Sequence, residues 1–591
     1  MGGDERAMRE APAGERLVSG VSGLLAVMSL IAGGFVVVST LLFICEDHFS
    51  GPVRDFWHII PLLERFDRGE GTFALLARLH GGHRLLFPRL LYLAEYELFD
   101  GRNLFLVGVG VALQLVLASV VARAVWAERR RSGAALTAFG LGLVAMLAFS
   151  ATQLENFMRP WNVHWFLTNA AVAVSLAAGL RVGDAVRSRS EASAWGWWLL
   201  ASAAAWVASY SMATGLLSWP LLLLLGFLVR WRRYLLVAIG LEGALAIALY
   251  RRGSRVLDAG SSLPSAGALV EWLLACLGSP LSWLSRDAGI ALALAATLAA
   301  AALSLRLLAR RSEASRAECL LVGLMLFSWG AAALIALGRT SLWPESWEAA
   351  RYQTIVLLFW LSLLLLTLLA LRGERPHQRV LRPLLMLAAA IWLAVAVLPG
   401  HFRQAEEIGS FAAKVRAANL ALLFGVSHRP DYVFVLTFSD RKLGFDSAVA
   451  HRGFLHERGL GVFSDPRRDL MGRALDEAFS SADPDLCRGE VIRADRVPTR
   501  YGPALRLGGW AWDIAAGRPP STLLATDARR SIVGFGTPLR RKLGPLRWRE
   551  DERPVWHGYA RDRNGSFDVW ALLESGEVCQ ITRARRSTKL R

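Results

Sequence analysis

An α-helical polytopic membrane domain followed by a β-rich tail is the fold class this sequence predicts, and three observations carry it. Of 591 residues, 54% are hydrophobic, mean hydropathy is +0.36, and apolar runs of roughly 17 to 25 residues recur as far as Pro399. Alternate short loops each carry three or four arginines. From Cys487 onward the apolar runs shorten to strand length, and Gly, Pro and Asp punctuate them.

The first run follows a short charged segment, Met1 to Arg16, and continues to Ile44. It is longer than a signal-peptide core and has no small-residue cleavage site near its end, so it reads as an uncleaved first span. About eleven spans are predicted, at 17–44, 104–125, 134–151, 163–180, 195–212, 214–229, 235–250, 289–308, 319–337, 354–371 and 383–399. The apolar piece 267–284 is amphipathic and reads as interfacial or re-entrant. Domains follow from this: a transmembrane domain 1–399 with a first outside loop 46–103, a linker and small α/β segment 400–486, and a β-sandwich-like domain 487–591. Within the middle segment, Tyr432–Leu436 reads as a strand and Leu470–Phe479 as a short helix.

The formal charge of +18 is nearly all arginine, and its distribution argues against a nucleic-acid partner. Arg129/Arg130/Arg131, Arg181/Arg187/Arg189, Arg230/Arg232/Arg233, Arg310/Arg311/Arg316 and Arg372/Arg375/Arg379/Arg382 fall in alternate loops, with Arg6/Arg9/Arg16 ahead of the first span. The positive-inside rule makes these cytoplasmic and puts the 46–103 loop, the Gln153 turn and the tail outside. Tryptophans near span ends, among them Trp195, Trp197, Trp198, Trp219, Trp231, Trp343 and Trp347, suit an interfacial belt. Cys45, Cys276 and Cys319 read as small buried residues. Cys487 and Cys579 bracket the tail; paired, they would tie its first strand to its last, and the unpaired alternative stays open.

The 46–103 loop is too polar for hydrocarbon. It holds Glu46-Asp47-His48, Arg54-Asp55-Phe56-Trp57-His58, His80-Gly81-Gly82-His83-Arg84 and Arg89. Asp55 precedes an apolar-periodic helix, so it suits either a helix cap or a general base that accepts a proton while a phosphate leaves. His80, His83, Arg84 and Arg89 would face one partner if the segment is helical, and arginine's planar fork suits phosphate; a solvated charged face gives the same pattern. Two histidines three apart without a flanking carboxylate are weak ground for a metal, so a divalent metal requirement stays open and its ligands unassigned. Gln153, Glu155 and Asn156, with Arg159, Trp161 and His164, crowd polar and aromatic groups into a turn at the edge of a span. Arg351-Tyr352 opens the tenth span with a guanidinium for phosphate beside a phenol; snorkelling anchors would look alike.

Read in order, Asp55-x-Trp57-x-x-x-Pro61-Leu62-Leu63, Gly71-Thr72, His80-x-x-His83-Arg84-x-x-Phe87-Pro88-Arg89, Gln153-x-Glu155-Asn156, Ser211-Met212-x-x-Gly215-Leu216, Leu277-Gly278-Ser279-Pro280-Leu281 and Arg351-Tyr352 resemble a family of bacterial multi-pass membrane proteins. That family is similar in layout to GT-C glycosyltransferases, which transfer a sugar from a polyprenyl-phosphate carrier. The resemblance covers most of 45–360. It implies an inverting transferase in the bacterial inner membrane, with its N-terminus cytoplasmic and its C-terminal domain periplasmic or extracellular. The implied partners are a polyprenyl-phosphate sugar donor, membrane lipids, and an envelope glycan, lipid or protein acceptor. Asp55 is the implied general base, with Asp47 as substitute and Glu155 sharing the catalytic work. Arg84, His83, His80, Arg351 and Tyr352 are assigned to the donor phosphate, and Trp57, Gln153, Asn156 and Trp161 to substrate contact. Where the family usually reads His-Asn-Glu-His-Arg, this chain has His80-Gly81-Gly82-His83-Arg84, which removes a carboxylate and shifts weight onto Asp55 or Glu155. Trp510-Ala511-Trp512 resembles sugar-stacking β modules, although core tryptophans would read the same. The rival readings are a flippase of lipid-linked sugars, for which Glu242 is the clearest acid deep in a span, and a non-catalytic glycan-binding scaffold.

Overall fold

The computed structural model describes residues 13–252, 264–342, 344–371, 376–426, 450–499, 502–539, 553–562 and 567–583. The expected strand at Tyr432–Leu436 and the belt residue Trp343 lie outside the described residues.

Helices of ten or more residues are α1 (Ala13–Asp47), α2 (Leu86–Phe99), α3 (Leu104–Ala127), α4 (Ala134–Phe149), α5 (Val163–Arg187), α6 (Glu191–Ser209) and α7 (Ser218–Leu228). They continue as α8 (Arg233–Arg251), α9 (Ala266–Leu277), α10 (Arg286–Ala309), α11 (Arg316–Arg339), α12 (Gln353–Ala370), α13 (Pro376–Trp392) and α14 (Leu398–Phe424). Every predicted span falls on a helix. Among the described residues nine helical stretches are long and apolar enough to cross a bilayer. The other two predicted spans are α6, which is rich in alanine and serine, and α7, which has only 11 residues and is entered through the 3-10 turn Ala213–Leu217. At 1.5 Å per residue, the 12-residue α9 is also too short to cross ~30 Å of hydrocarbon.

The helix does not end at Pro399, and residues 400–424, expected as a linker and amphipathic stretch, continue it. A single helical rod runs from α13 through a π turn, Leu393–Val397, into α14. Pro399 cannot donate a backbone hydrogen bond and its ring crowds the preceding turn, and the wider π turn accommodates both. Of the expected belt residues, Trp195 and Trp197 are exposed, but Trp198, Trp219, Trp231 and Trp347 are buried. The Trp219 indole donates to Ser209 Oγ (2.9 Å) and the Trp231 indole to the Gly179 carbonyl (3.0 Å), so these two rings lock helices together.

The short runs expected after Cys487 fall on seven strands among the described residues. They are β3 (Cys487–Val497), β4 (Ala504–Asp513), β5 (Thr522–Thr526), β6 (Ile532–Pro538), β7 (Val555–Arg561), β8 (Asp568–Leu572) and β9 (Val578–Arg583), following a hairpin β1 (Leu79–His80) and β2 (His83–Arg84) in the first loop. The seven form one antiparallel sheet in the order β3-β4-β7-β6-β5-β8-β9. The sheet curls until its edges meet, with Ile581 of β9 packed on Gly489 of β3, so it is not two stacked layers. Cys487 and Cys579 are disulfide-bonded, Cα to Cα 6.1 Å. On β4, Leu505, Leu507 and Ala511 point into the core, while Trp510 and Trp512 are half-buried on the opposite face. The C-terminal end of α14 abuts β6 and β7, and the Phe424 ring lies 6.4 Å from that of Tyr559.

Candidate functional site

The first loop is folded by short-range chemistry before it reaches the site. Gly81 (φ 54°) and Gly82 (φ 85°) take left-handed conformations at both central positions of a two-residue hairpin, pairing His80 with His83 and Leu79 with Arg84. The segment is therefore not helical, and the expected one-turn spacing of its cations does not apply. Arg84 donates to the carbonyls of Tyr250 (2.8 Å), Ala77 (2.8 Å) and Arg252. Arg89, buried, donates to the carbonyls of Leu75 (3.1 Å), Leu76 (2.7 Å) and Arg78. Both arginines thus satisfy orphan carbonyls at the end of the helical turn Phe73–Leu76 and at the end of α8. Arg84 is committed to the backbone and does not join the charged cluster described below.

That cluster forms where four segments meet. Val53 is extended and Arg54 follows in the left-handed region (φ 49°), a costly conformation for a residue with a Cβ that re-aims its side chain. Asp55 comes next, half-buried, within electrostatic reach of Arg54, Arg159, Arg351 and His80. Glu155 and Arg159 form an ion pair with side chains 11% and 10% exposed. Glu155 also acts on Arg54 and Arg351. The Arg54 and Arg159 guanidiniums lie 5.0 and 4.7 Å from the Phe411 ring of α14. Burial, then the neighbouring Arg159 cation, pushes the Arg54 guanidinium down to about 9 against the opposing pull of Glu155. Three guanidiniums, those of Arg54, Arg159 and Arg351, thus lie in the field of two carboxylates, Asp55 and Glu155.

Beside it opens a cavity of about 360 Å³ lined by Arg54, Glu155, Arg159, Ser279, Gln353 and Phe411, with Trp283 and Arg403 at its walls. The Ser279-Pro280 turn is held there by a close helix approach: a Cβ on Gly278 would meet the Gly289 carbonyl oxygen at 2.2 Å, so only glycine fits. Gln353 donates to Ser279 Oγ (2.8 Å), and the Trp360 indole to the Leu277 carbonyl (2.9 Å). Ala396 of the π turn and Gly400 close the α14 side.

No family model matches the chain, and no curated protein does. Among solved structures it is similar to the oligosaccharyltransferase of Archaeoglobus fulgidus in its apo form, at 14% identity and a TM-score of 0.38. The likeness covers 72% of this chain, which spans 64% of that enzyme's length.

The structure brings Asp55, Glu155 and Arg351 together, and separates several other expected site residues from them. Asp47 is buried (1% exposed), 3.8 Å from Arg416 of α14 and packed on Gly409, so it ties α1 to α14. His83 Nδ1 accepts from the Ala213 backbone N–H (3.3 Å). Its field partners are Arg339 and His80, and burial brings it down to about 4. His80 stacks edge-on against Trp161 (4.8 Å) and lies 5.4 Å from His58, and burial again holds it near 4. Trp161 is sandwiched with Tyr92 (5.6 Å), whose hydroxyl donates to the Trp161 carbonyl. Gln153 donates to the Ala148 carbonyl (2.6 Å), and Asn156 to the Arg351 carbonyl (2.9 Å) and Thr354 Oγ1 (2.6 Å); both are buried braces rather than open contact groups. Trp57 is 2% exposed and Tyr352 also 2%, the latter packed between Trp165 and Trp272. Tyr352 nevertheless supports Arg351, whose guanidinium lies 5.1 Å from its ring. Glu242 accepts from Ser202 and takes no part in the cavity. Among the described residues no cluster of three or more His, Cys, Asp or Glu is spaced to hold a metal.

Arg54, Arg403, Phe411 and Trp283 were not assigned roles from sequence. The signal for the α14 pair was helical periodicity continuing past Pro399.

Proposed function

We propose that the chain is a membrane glycosyltransferase that takes a sugar from a polyprenyl-phosphate donor and passes it to an acceptor on the extracytoplasmic side of a cell-envelope membrane. The observation that carries this reading is the meeting of Asp55 with Arg54, Arg159 and Arg351 beside a cavity at the loop-bearing end of the helices. In such a reaction the acceptor oxygen or nitrogen forms a bond to the anomeric carbon, the sugar–phosphate bond breaks, and the carrier departs with the bonding electrons on phosphate. Asp55 takes the acceptor's proton, and the guanidiniums meet the charge developing on the leaving phosphate. Glu155 holds Arg159 in place and keeps the cluster from binding anions indiscriminately. Trp283, 42% exposed at the cavity wall, offers an aromatic face for a pyranose.

The test uses the purified full-length chain with polyprenyl-phosphate sugars and scores release of free carrier phosphate. Carrier release by the native chain, with Asp55→Asn reducing turnover at least ~100-fold while leaving the folded fraction unchanged, is the expected result. Full turnover by Asp55→Asn, or no carrier release from any such donor, overturns the reading.

A further inference from the structure

A second and larger cavity, about 930 Å³, lies at the opposite end of the bundle from Asp55. The 24 residues of α3 separate the two ends by ~36 Å. It is walled by the far ends of α3, α5 and α7 and by the start of α11. Eight arginines line it against two carboxylates, Glu128 and Glu313. Asp184 beside it already serves Arg316 and Arg187 (both 2.6 Å) and Arg181 (3.7 Å), and Glu128 lies 3.9 Å from Arg131. That leaves Arg123, Arg130, Arg230 and Arg311 lining the cavity with no carboxylate partner among the described residues. Arg230 sits at φ 61°, a left-handed position usually given to glycine at a helix end, so a guanidinium is kept there at a conformational cost. The walls below the charges are apolar: Leu180, Leu228, Val229 and Leu320. The rim continues onto exposed apolar helix faces at Phe227 (56%), with Arg311 5.1 Å from its ring.

We infer that this cavity binds the phosphate of an anionic membrane phospholipid, with its acyl chains against the apolar walls and its headgroup among the arginines that have no carboxylate partner. A soluble phosphate would use the charges but gain nothing from Leu180, Leu228 and Leu320. A neutral lipid would use the walls but leave the guanidiniums unmatched. The site stands apart from the proposed transfer reaction, and either can fail without the other.

Full-length protein in neutral detergent, at physiological salt, is titrated with dioctanoyl phosphatidylglycerol, dioctanoyl phosphatidylcholine and glycerol 3-phosphate, with binding read by thermophoresis. Saturable phosphatidylglycerol binding is expected, at least ~10-fold tighter than either comparison ligand. The cavity variant R123Q/R230Q/R311Q should weaken it on the order of 100-fold, and R230Q alone about fivefold. A variant of the same end outside the cavity, R129Q/R189Q/R233Q, should change it less than about threefold. Equal weakening by both triple variants means diffuse surface charge and overturns the proposal. Glycerol 3-phosphate binding as tightly as the lipid, or the absence of saturable binding, overturns it too.

Discussion

Neutralising Glu155 should cost more stability than neutralising Arg159, although the two form one ion pair. Both side chains are about nine-tenths removed from solvent, and stranding one member of a buried pair costs about 3–5 kcal/mol. The surroundings break the symmetry. In Arg159→Gln the Glu155 carboxylate keeps Arg54 and Arg351 within reach, so the loss should fall at the lower end, about 3 kcal/mol. In Glu155→Gln three guanidiniums lose a carboxylate that acts on all of them, and mutual repulsion at low local dielectric should bring the loss to about 5 kcal/mol. Urea unfolding in a mild detergent, followed by tryptophan fluorescence, measures both. Millimolar pyrophosphate should restore part of the Glu155→Gln loss and none of the Arg159→Gln loss, because only the former removes a negative charge from among the guanidiniums. A larger loss for Arg159→Gln, or equal rescue of both, would refute the view that this cluster is a cation-rich seat balanced by Glu155.

Arg84→Gln removes the donors that hold three carbonyls and should lower stability by about 2–4 kcal/mol. Limited proteolysis within 73–84 should rise while turnover per folded molecule is kept; a pure turnover defect would return Arg84 to the site. His80 and His83 are held near 4 by burial, against ~6.5 in the unfolded chain. Above pH 6.5 both states are neutral. As pH falls from 6.5 to 4 the unfolded chain binds protons that the folded one does not, so stability should drop across that window and level off below it. A thermal midpoint that stays flat between pH 6.5 and 4.5, or a drop unaffected by His83→Asn, contradicts this. The Cys487–Cys579 link spans 92 residues, so Cys579→Ser should cost the sheet about 4–5 kcal/mol. Melting of native protein with and without reductant checks it, and identical midpoints would count against it.

Among the described residues, hydrophobic run length located each helix long and apolar enough to cross a membrane, and short apolar runs located the strands after Cys487, because both signals are local. Errors arose where one residue type serves two physical ends. Arginine suits phosphate and also backbone carbonyls, and only coordinates distinguish Arg84, which clasps the end of α8, from Arg351, which faces Asp55. His80-x-x-His83 fits a helical turn, but the Gly-Gly between them was the stronger cue, since two successive left-handed residues make a hairpin turn. Pro399 read as a terminus because proline cannot continue an ordinary helix; the π turn that lets it do so leaves no compositional trace. The nearness of Asp55 to the Glu155–Arg159 ion pair joins positions some hundred residues apart, and no spacing rule reaches that far. Asp47 looked reactive for its charge alone, yet it is an internal tie to Arg416.

The unbroken passage through Leu393–Val397 into α14 has a mechanical corollary. Arg403 and Phe411 stand on the same rod whose tip at Phe424 rests on the curled sheet. A ligand that tilts the sheet therefore levers the wall of the smaller cavity directly, with no slack joint between them to absorb the motion.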